Sequence, residues 1–425
     1  MKTILKILAA IVALLIIAGA IFYFANNETL PKGKNPDKAD ELANKILKAL
    51  NYDAYQNTEL IEWNFRNEHF YKWYKSENKV EVSWDKNKVI LHTNQPEKNE
   101  VIASKENGGK EELIEKAIKI FNNDSFWLVA PYKVNDKGTK RSIVKVDEKE
   151  ALLVTYTSGG STPGDSYLWI LDSTFIPVKF KMWVGIIPIG GVEATWGNWQ
   201  KTEAGILLPK KHIMSPFGLE IEMGNPTATN PKADELANKI LFAIKHENYK
   251  KTNIIEWSFA GKRSFKWNKK DHIVDVSWDT IRVNLQPNNL AKSVVFYNEI
   301  KQETVDKEML QKALDIFNND SFWLVSPHKL FEKGIVRNII KVDEKDVLKV
   351  NYTIGGTTPG DSYVWILDST YVPKKWFMNV ETKNIVNVPA TWEDWITTES
   401  GTLLPKNHVF EGGRGLSMGD VKGTK

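Results

Sequence analysis

At 425 residues the chain is too long for one ordinary hydrophobic core, so two or three domains are expected. Its 57 Lys and Arg nearly balance 53 Asp and Glu, a net charge of +4 without a basic stripe or a zinc pattern, which excludes a recognisable nucleic-acid binder. The absence of cysteine excludes disulfides, thiolate metal sites, a cysteine nucleophile and a lipid-modified N-terminal cysteine.

The first predicted element is apolar. Residues 7–24, "ILAAIVALLIIAGAIFYF", carry no charge and follow Lys2 and Lys6. Their length reaches the lower limit for crossing a bilayer core of about 30 Å. A cleaved signal peptide is the alternative, with Ala18-Gly19-Ala20 as the small-residue site. The apolar run continues through Ile21, Phe22, Tyr23 and Phe24, which disfavours cleavage there. Residues 1–34 are therefore read as a membrane anchor or signal with its linker. Either way the remainder is expected outside the cytoplasm, in the periplasm if the cell is Gram-negative.

Asn35-Pro36 then reads as an N-cap with proline in the first turn, followed by a helix whose apolar face is Leu42, Ala43, Ile46, Leu47 and Leu50. Strands follow: Val80, Val82 and Trp84 alternate with Glu81, Ser83 and Asp85. Leu113, Ile114, Ala117, Ile118 and Phe121 recur at helical spacing. The chain after "DSFWLVAP" returns to strands.

The same order then repeats. "KADELANKIL" begins at Lys38 and again at Lys232, "FNNDSFWLV" at Phe121 and Phe317, and "LLPKKH" at Leu207 is matched by "LLPKNH" at Leu403. In "SGGSTPGDSYLWILDST" from Ser158 and "IGGTTPGDSYVWILDST" from Ile354, 14 of 17 positions are identical. A unit of roughly 190 residues is domain-sized rather than a solenoid repeat. The expected organisation is a first repeat at 35–224, a linker at 225–230, a second repeat at 231–420 and a tail at 421–425. Of the 16 Trp, 14 form equivalent pairs; Trp183 faces Asn379 and Trp376 faces Phe180.

Gly159-Gly160 and Pro163-Gly164 place a turn between two strands. The strand after it sets Tyr167, Trp169 and Leu171 on one face and Leu168 and Ile170 on the other, so both faces are covered or one lines a cavity.

Catalytic candidates are weak. Asp165 and Asp361 in "TPGD" read as turn residues capping local N–H groups. His212 and His408, the only histidines at equivalent positions, lack spaced partners for a metal and read as surface or strand-end residues. Ser161 lacks a nucleophile elbow and faces Thr357. Glu393 and Asp394 have no acidic equivalents in the first repeat. No catalytic group, cofactor or metal is implied. The better lead is aromatic: Trp63, Trp84, Trp169, Trp196 and Trp199, with Trp257, Trp278, Trp365, Trp392 and Trp395, fall on predicted strands and read as core residues or as the lining of a cavity.

The element order within each repeat and the phrase "YLWILDSTFIPVKF" resemble the LolA/LolB-like lipoprotein-carrier superfamily, here as a tandem duplication. The resemblance implies an α+β fold in which a strongly curved antiparallel sheet forms an open β-barrel with helices on its concave side; the repeat makes this two tandem domains, and the apolar run places them after an N-terminal transmembrane helix. It implies noncatalytic binding of a lipid or an acylated protein, with the ten Trp as ligand-binding residues, no nucleic acid, and membrane contact through the N-terminal helix. Two other readings stand beside it. One is an envelope interaction module with filled cores; the other is a carbohydrate-binding or hydrolytic protein with exposed Trp platforms.

Overall fold

The computed structural model describes every residue except 1, 105–108, 159–162, 305 and 355–359. The Gly159-Gly160 turn, Ser161 and Thr357 therefore lie outside the described residues. The chain forms two compact units, Met1–Thr229 and Asn230–Lys425.

Helix α1 (Lys2–Asn26) is apolar around its whole circumference, and residues Lys6–Asn26 are long and apolar enough to cross a membrane. Helix α2 (Pro36–Leu50) buries Ala39, Leu42, Ala43, Ile46, Leu47 and Leu50, the stripe expected from the spacing. Its cap differs from expectation. Asn35 is left-handed at φ 51° and makes no side-chain capping bond, because the chain enters the helix straight from a bridge between Lys34 and Ile143. In the second repeat Asn230 donates through Nδ2 to the Arg337 carbonyl at 2.6 Å instead of capping its helix.

A short helix, α3 (Tyr52–Asn57), leads into an antiparallel six-stranded sheet ordered Thr227–Thr229, Leu60–Phe65, His69–Tyr74, Lys79–Trp84, Asn87–His92 and Glu100–Ala103. Helix α4 (Lys110–Val129) then carries the chain to a seven-stranded antiparallel sheet. Its order is Leu219–Glu222, Lys211–Met214, Val192–Thr195, Pro177–Trp183, Ser166–Leu171, Lys149–Tyr156 and Thr139–Val146. Alternating burial along Leu60–Phe65 and Lys79–Trp84 shows one face turned inward. One hydrophobic cluster joins both sheets, α2 and α4. The strand Ser166–Leu171 is covered on both sides: Trp169 faces that core, and Leu168 packs outside with Ala151 and Leu153 beneath Val144, Val146 and Trp183.

The second unit repeats the plan with α5 (Pro231–Ala243), α6 (His246–Lys251) and α7 (Lys307–Val325). Its first sheet runs from Ile300–Lys301 through Ile254–Phe259 to Lys422–Thr424. Its second orders Ile335–Val342, Lys345–Tyr352, Ser362–Leu367, Pro373–Val380 and Ile385–Thr391. A register shift falls at the same place in both copies, between Ile170 and Leu171 and between Ile366 and Leu367. The core of this unit forms two clusters, with Trp323 packed against each.

The fold is therefore α+β, with antiparallel sheets that stay open among the described residues. Residues expected to be linker and tail are instead structural. Thr227–Thr229 pairs with Leu60–Glu62, and Lys422–Thr424 pairs with Ile254–Glu256, so each repeat ends by hydrogen-bonding to its own first strand.

Candidate functional site

Six of the ten candidate rings, Trp63, Trp84, Trp169, Trp257, Trp278 and Trp365, lie on the inward faces of strands; Trp196, Trp199, Trp392 and Trp395, also expected on strands, follow the strands Val192–Thr195 and Ile385–Thr391 instead. In the first repeat Trp63 stacks on Tyr71 at 4.5 Å, near Phe121. On the second sheet Trp196 lies 5.5 Å from Trp169 and 5.6 Å from Trp199. Helix α4 serves both patches, turning Phe121 to the first and Phe126 and Trp127 to the second. The second repeat places Phe317 against Trp257, and Phe322 and Trp323 against Trp376. Trp84 stands apart, with Lys116 above its ring at 5.2 Å, and Lys312 sits over Trp278 in the same way.

Eight of the ten rings are buried, and Trp199 and Trp395 are half-buried. That counts against the eight buried rings as sugar platforms, because a stacking platform needs an open ring face. Trp199 and Trp395 are fixed by their indole N–H groups, which donate to the Pro177 and Pro373 carbonyls at 2.9 and 3.0 Å.

The other indoles differ. The Nε1 groups of Trp63, Trp84, Trp169 and Trp196, and of Trp257, Trp365, Trp376 and Trp392, are buried with no acceptor among the described residues. Leaving a buried donor unpaired costs about 1–3 kcal/mol. Three of these donors recur at equivalent positions, Trp63/Trp257, Trp169/Trp365 and Trp196/Trp392.

His212 and His408, expected at the surface or at a strand end, lie near the start of short strands and are fully buried. His212 is wedged edge-on against Trp127 and Trp196, and its Nδ1 meets the Thr195 carbonyl at 2.7 Å. His408 does the same with Trp323, Trp392 and Thr391. Burial lowers both imidazoles to about 4, opposed by these backbone hydrogen bonds, so both rings are neutral at pH 7. Asp165 is buried and accepts from the Gly185 N–H at 3.0 Å, well beyond its own turn.

Sequence reasoning missed the polar locks beneath the long helices. Asp124 of α4 is buried and accepts from the Tyr71 hydroxyl at 2.5 Å, with His69 Nδ1 at 2.7 Å. Its counterpart Asp320 of α7 takes Arg263 in a fork at 2.5 and 3.0 Å. Burial pushes the Asp320 carboxyl up, while Arg263 and Asn319 pull it down. A second miss is Lys75, whose ammonium sits 3.5 Å above the Tyr55 ring and donates to the Tyr55 carbonyl. Burial, helped by Lys133, lowers it to about 7, and Lys269 over Tyr249 is lowered to about 8. The signal for both was the repeat itself, since Asp124/Asp320 and Lys75/Lys269 are equivalent positions.

A groove of about 300 Å³ lies on the outward face of the first sheet, lined by Glu62, Phe70, Lys72, Glu81 and Lys88 among others. Its charges pair with each other, Lys72 with Glu62 and Lys88 with Glu81. Among the described residues no group of His, Asp and Glu is arranged to hold a metal ion.

No protein-family model and no curated protein matches the chain. Among solved structures it is similar to a DUF1329 family protein from Desulfovibrio piger, at 12% identity over 46% of this chain and 94% of that one, with a TM-score of 0.27. It is also similar to a domain from Vibrio parahaemolyticus described as an outer membrane lipoprotein-sorting protein, at 10% identity over 44% of this chain and 93% of that one, with a TM-score of 0.23.

Proposed function

We propose that the chain is a noncatalytic binding protein of the cell envelope, held outside the cytoplasm by α1. Its aromatic hollows take an apolar chain, a lipid tail or the acyl group of a lipoprotein. The observation that carries this reading is the duplicated set of buried indole N–H groups without a protein acceptor. A core that only had to be filled gains nothing from them. An ester or amide carbonyl at the head of an acyl chain supplies the acceptor they lack. Each methylene buried among the rings adds roughly 0.8 kcal/mol, so useful affinity requires no reacting group.

Because the rings pack on one another and on α4 and α7, an incoming chain enters by displacing these helices, and Asp124 and Asp320 are the locks it works against. The burial of the rings also favours a second reading, an envelope interaction module whose hollows stay filled by their own side chains.

Native mass spectrometry of the full chain released from detergent micelles separates the two. The binding reading expects retained lipid, with loosened locks (Tyr71→Phe together with His69→Ala) raising uptake in the first repeat. A bare polypeptide mass, with Trp emission unmoved by added lipid in both the native chain and the unlocked variant, leaves the filled module.

A further inference from the structure

Trp183 is one of two tryptophans without a tryptophan partner in the other repeat, and it lies where the chain leaves α1. Its indole N–H donates to the Glu28 carbonyl at 2.8 Å. The Glu28 N–H donates to the Gly190 carbonyl at 2.9 Å, the Gly190 N–H to Asn27 Oδ1 at 2.8 Å, and Lys181 pairs with the Glu28 carboxylate at 2.7 Å. A few residues on, Lys34 and Ile143 exchange backbone hydrogen bonds at 3.0 and 2.7 Å. The end of α1 is thus fastened to the first repeat rather than hanging from it.

The fastening continues along the helix. Phe22 stacks on Phe217 with ring centroids 5.4 Å apart and planes 13° apart. Phe22 stands one turn before Asn26, about 6 Å back along the helix axis. Phe217 is therefore held level with the last turn of α1, at whatever depth that turn occupies. Yet Phe217 remains 80% exposed, and Ile186, on the loop between Trp183 and Gly190, is 74% exposed. Ile213 and Leu219, on the strands flanking Phe217, are also exposed.

The second repeat lacks these side chains: the Phe217 turn corresponds to Gly412-Gly413, Leu219 to Arg414 by strand pairing, Ile186 to Thr382, and Trp183 and Lys181 to Asn379 and Phe377. The apolar tips of the first repeat adjoin an apolar helix, whereas the equivalent loop of the second repeat exposes Val386 and adjoins none. Exposed apolar side chains gathered at one edge, continuous with a membrane-length helix, mark a surface that meets lipid.

We infer that the Phe217 turn and the Ile186 loop of the first repeat insert into the boundary between headgroups and acyl chains of the bilayer that α1 crosses. The first repeat then lies on the membrane surface as a second, interfacial anchor. This rests on the reading of α1 as a retained span.

The absence of native cysteine gives a clean test. Single variants Phe217→Cys, Ile186→Cys, Thr382→Cys and Ile16→Cys of the full chain are labelled with an environment-sensitive fluorophore. They are reconstituted into phosphatidylcholine–phosphatidylglycerol vesicles whose acyl chains carry a nitroxide quencher. Labels at Phe217 and Ile186 are expected to be quenched several-fold more than the label at Thr382, and Ile16 more than any. Adding Phe217→Asp to the Ile186→Cys variant is expected to reduce its quenching. Quenching at Ile16 with Phe217 and Ile186 no better than Thr382 overturns the insertion and leaves the span intact. Absence of quenching at Ile16 overturns both.

Discussion

The two repeats answer one structural demand in two ways. Each long helix brings an aspartate into the core beneath the first sheet, and each aspartate must be paired. In the first repeat Tyr71 and His69 pair it with hydrogen bonds, one of them to a ring that carries charge only when protonated. In the second, Phe265 replaces the tyrosine and Arg263 supplies a permanent charge in a two-pronged bond. The opposite exchange occurs near α3 and α6. Tyr132 in the first repeat lies 4.3 Å from Tyr55 and bonds the Leu50 and Leu207 carbonyls. His328 in the second lies 4.2 Å from Tyr249 and bonds the Leu403 carbonyl at 2.9 Å, with His246 3.3 Å away. The lesson is that the fold dictates where polarity is buried, and each copy chooses its own chemistry for it.

Four experiments break or sharpen this contrast. The largest effect is expected from Asp320→Ala, which strands a partly buried guanidinium and should cost the second repeat about 3–5 kcal/mol. Asp124→Ala should cost the first repeat about 1–3 kcal/mol, because Tyr71 and His69 lose hydrogen bonds and no guanidinium is stranded. Urea unfolding with hydrogen exchange to assign each repeat measures both, and equal losses would erase the distinction between the locks.

Next comes the ring that differs, Trp376 against Phe180. Phe180 is fully buried among Trp127, Trp169 and Trp196, so Phe180→Trp should overpack the first repeat by about 1–3 kcal/mol. An unchanged unfolding midpoint would mean that the first hollow holds more room than its ring contacts imply.

The third experiment is acidification. Burial lowers His328 to about 3, and His246 and Lys269 add to that lowering. The unfolded chain takes the proton first, so the stability these residues contribute is present above about pH 6.5 and is lost as pH falls towards 3. His212 and His408 act alike in both copies. The second repeat should therefore open first in acid, and His328→Tyr should bring its acid limb to that of the first, by at most about 1.4 kcal/mol per pH unit.

The smallest contrast concerns the buried lysines. With folded values near 7 and 8 against an ordinary 10.5, Lys75 and Lys269 shed their protons before the unfolded chain does, so stability rises with pH above these values. Lys75→Met should flatten that rise in the first repeat alone. The two native copies should differ in its onset by about one pH unit.

Much of this architecture was legible in the residues. Periodicity placed α2 and α4, alternation placed Lys79–Trp84, and self-comparison exposed the duplication. The polar interior was not. Asp124 and Tyr71 are far apart in sequence and meet only through tertiary packing. His212 looked like a strand-end histidine because no local pattern announces that Trp127 and Trp196 will close over it. The tryptophans were recognised as a set, but whether an inward ring is covered depends on how far α4 reaches across two sheets, which no strand records. Thr227–Thr229 resembled a linker because three small residues carry almost no strand signal; only their partners Leu60–Glu62 define them.

Those closing strands bear on biogenesis. During synthesis from the N-terminus the segment at Leu60 emerges early and waits for Thr229, so the first sheet keeps a bare edge until nearly all of its half has been made. The next half then begins within two residues, at Pro231, and waits in turn for Thr424. Each half thus matures as a sealed loop of chain before its neighbour starts. That gives a physical reason why such a segment tolerates being copied end to end.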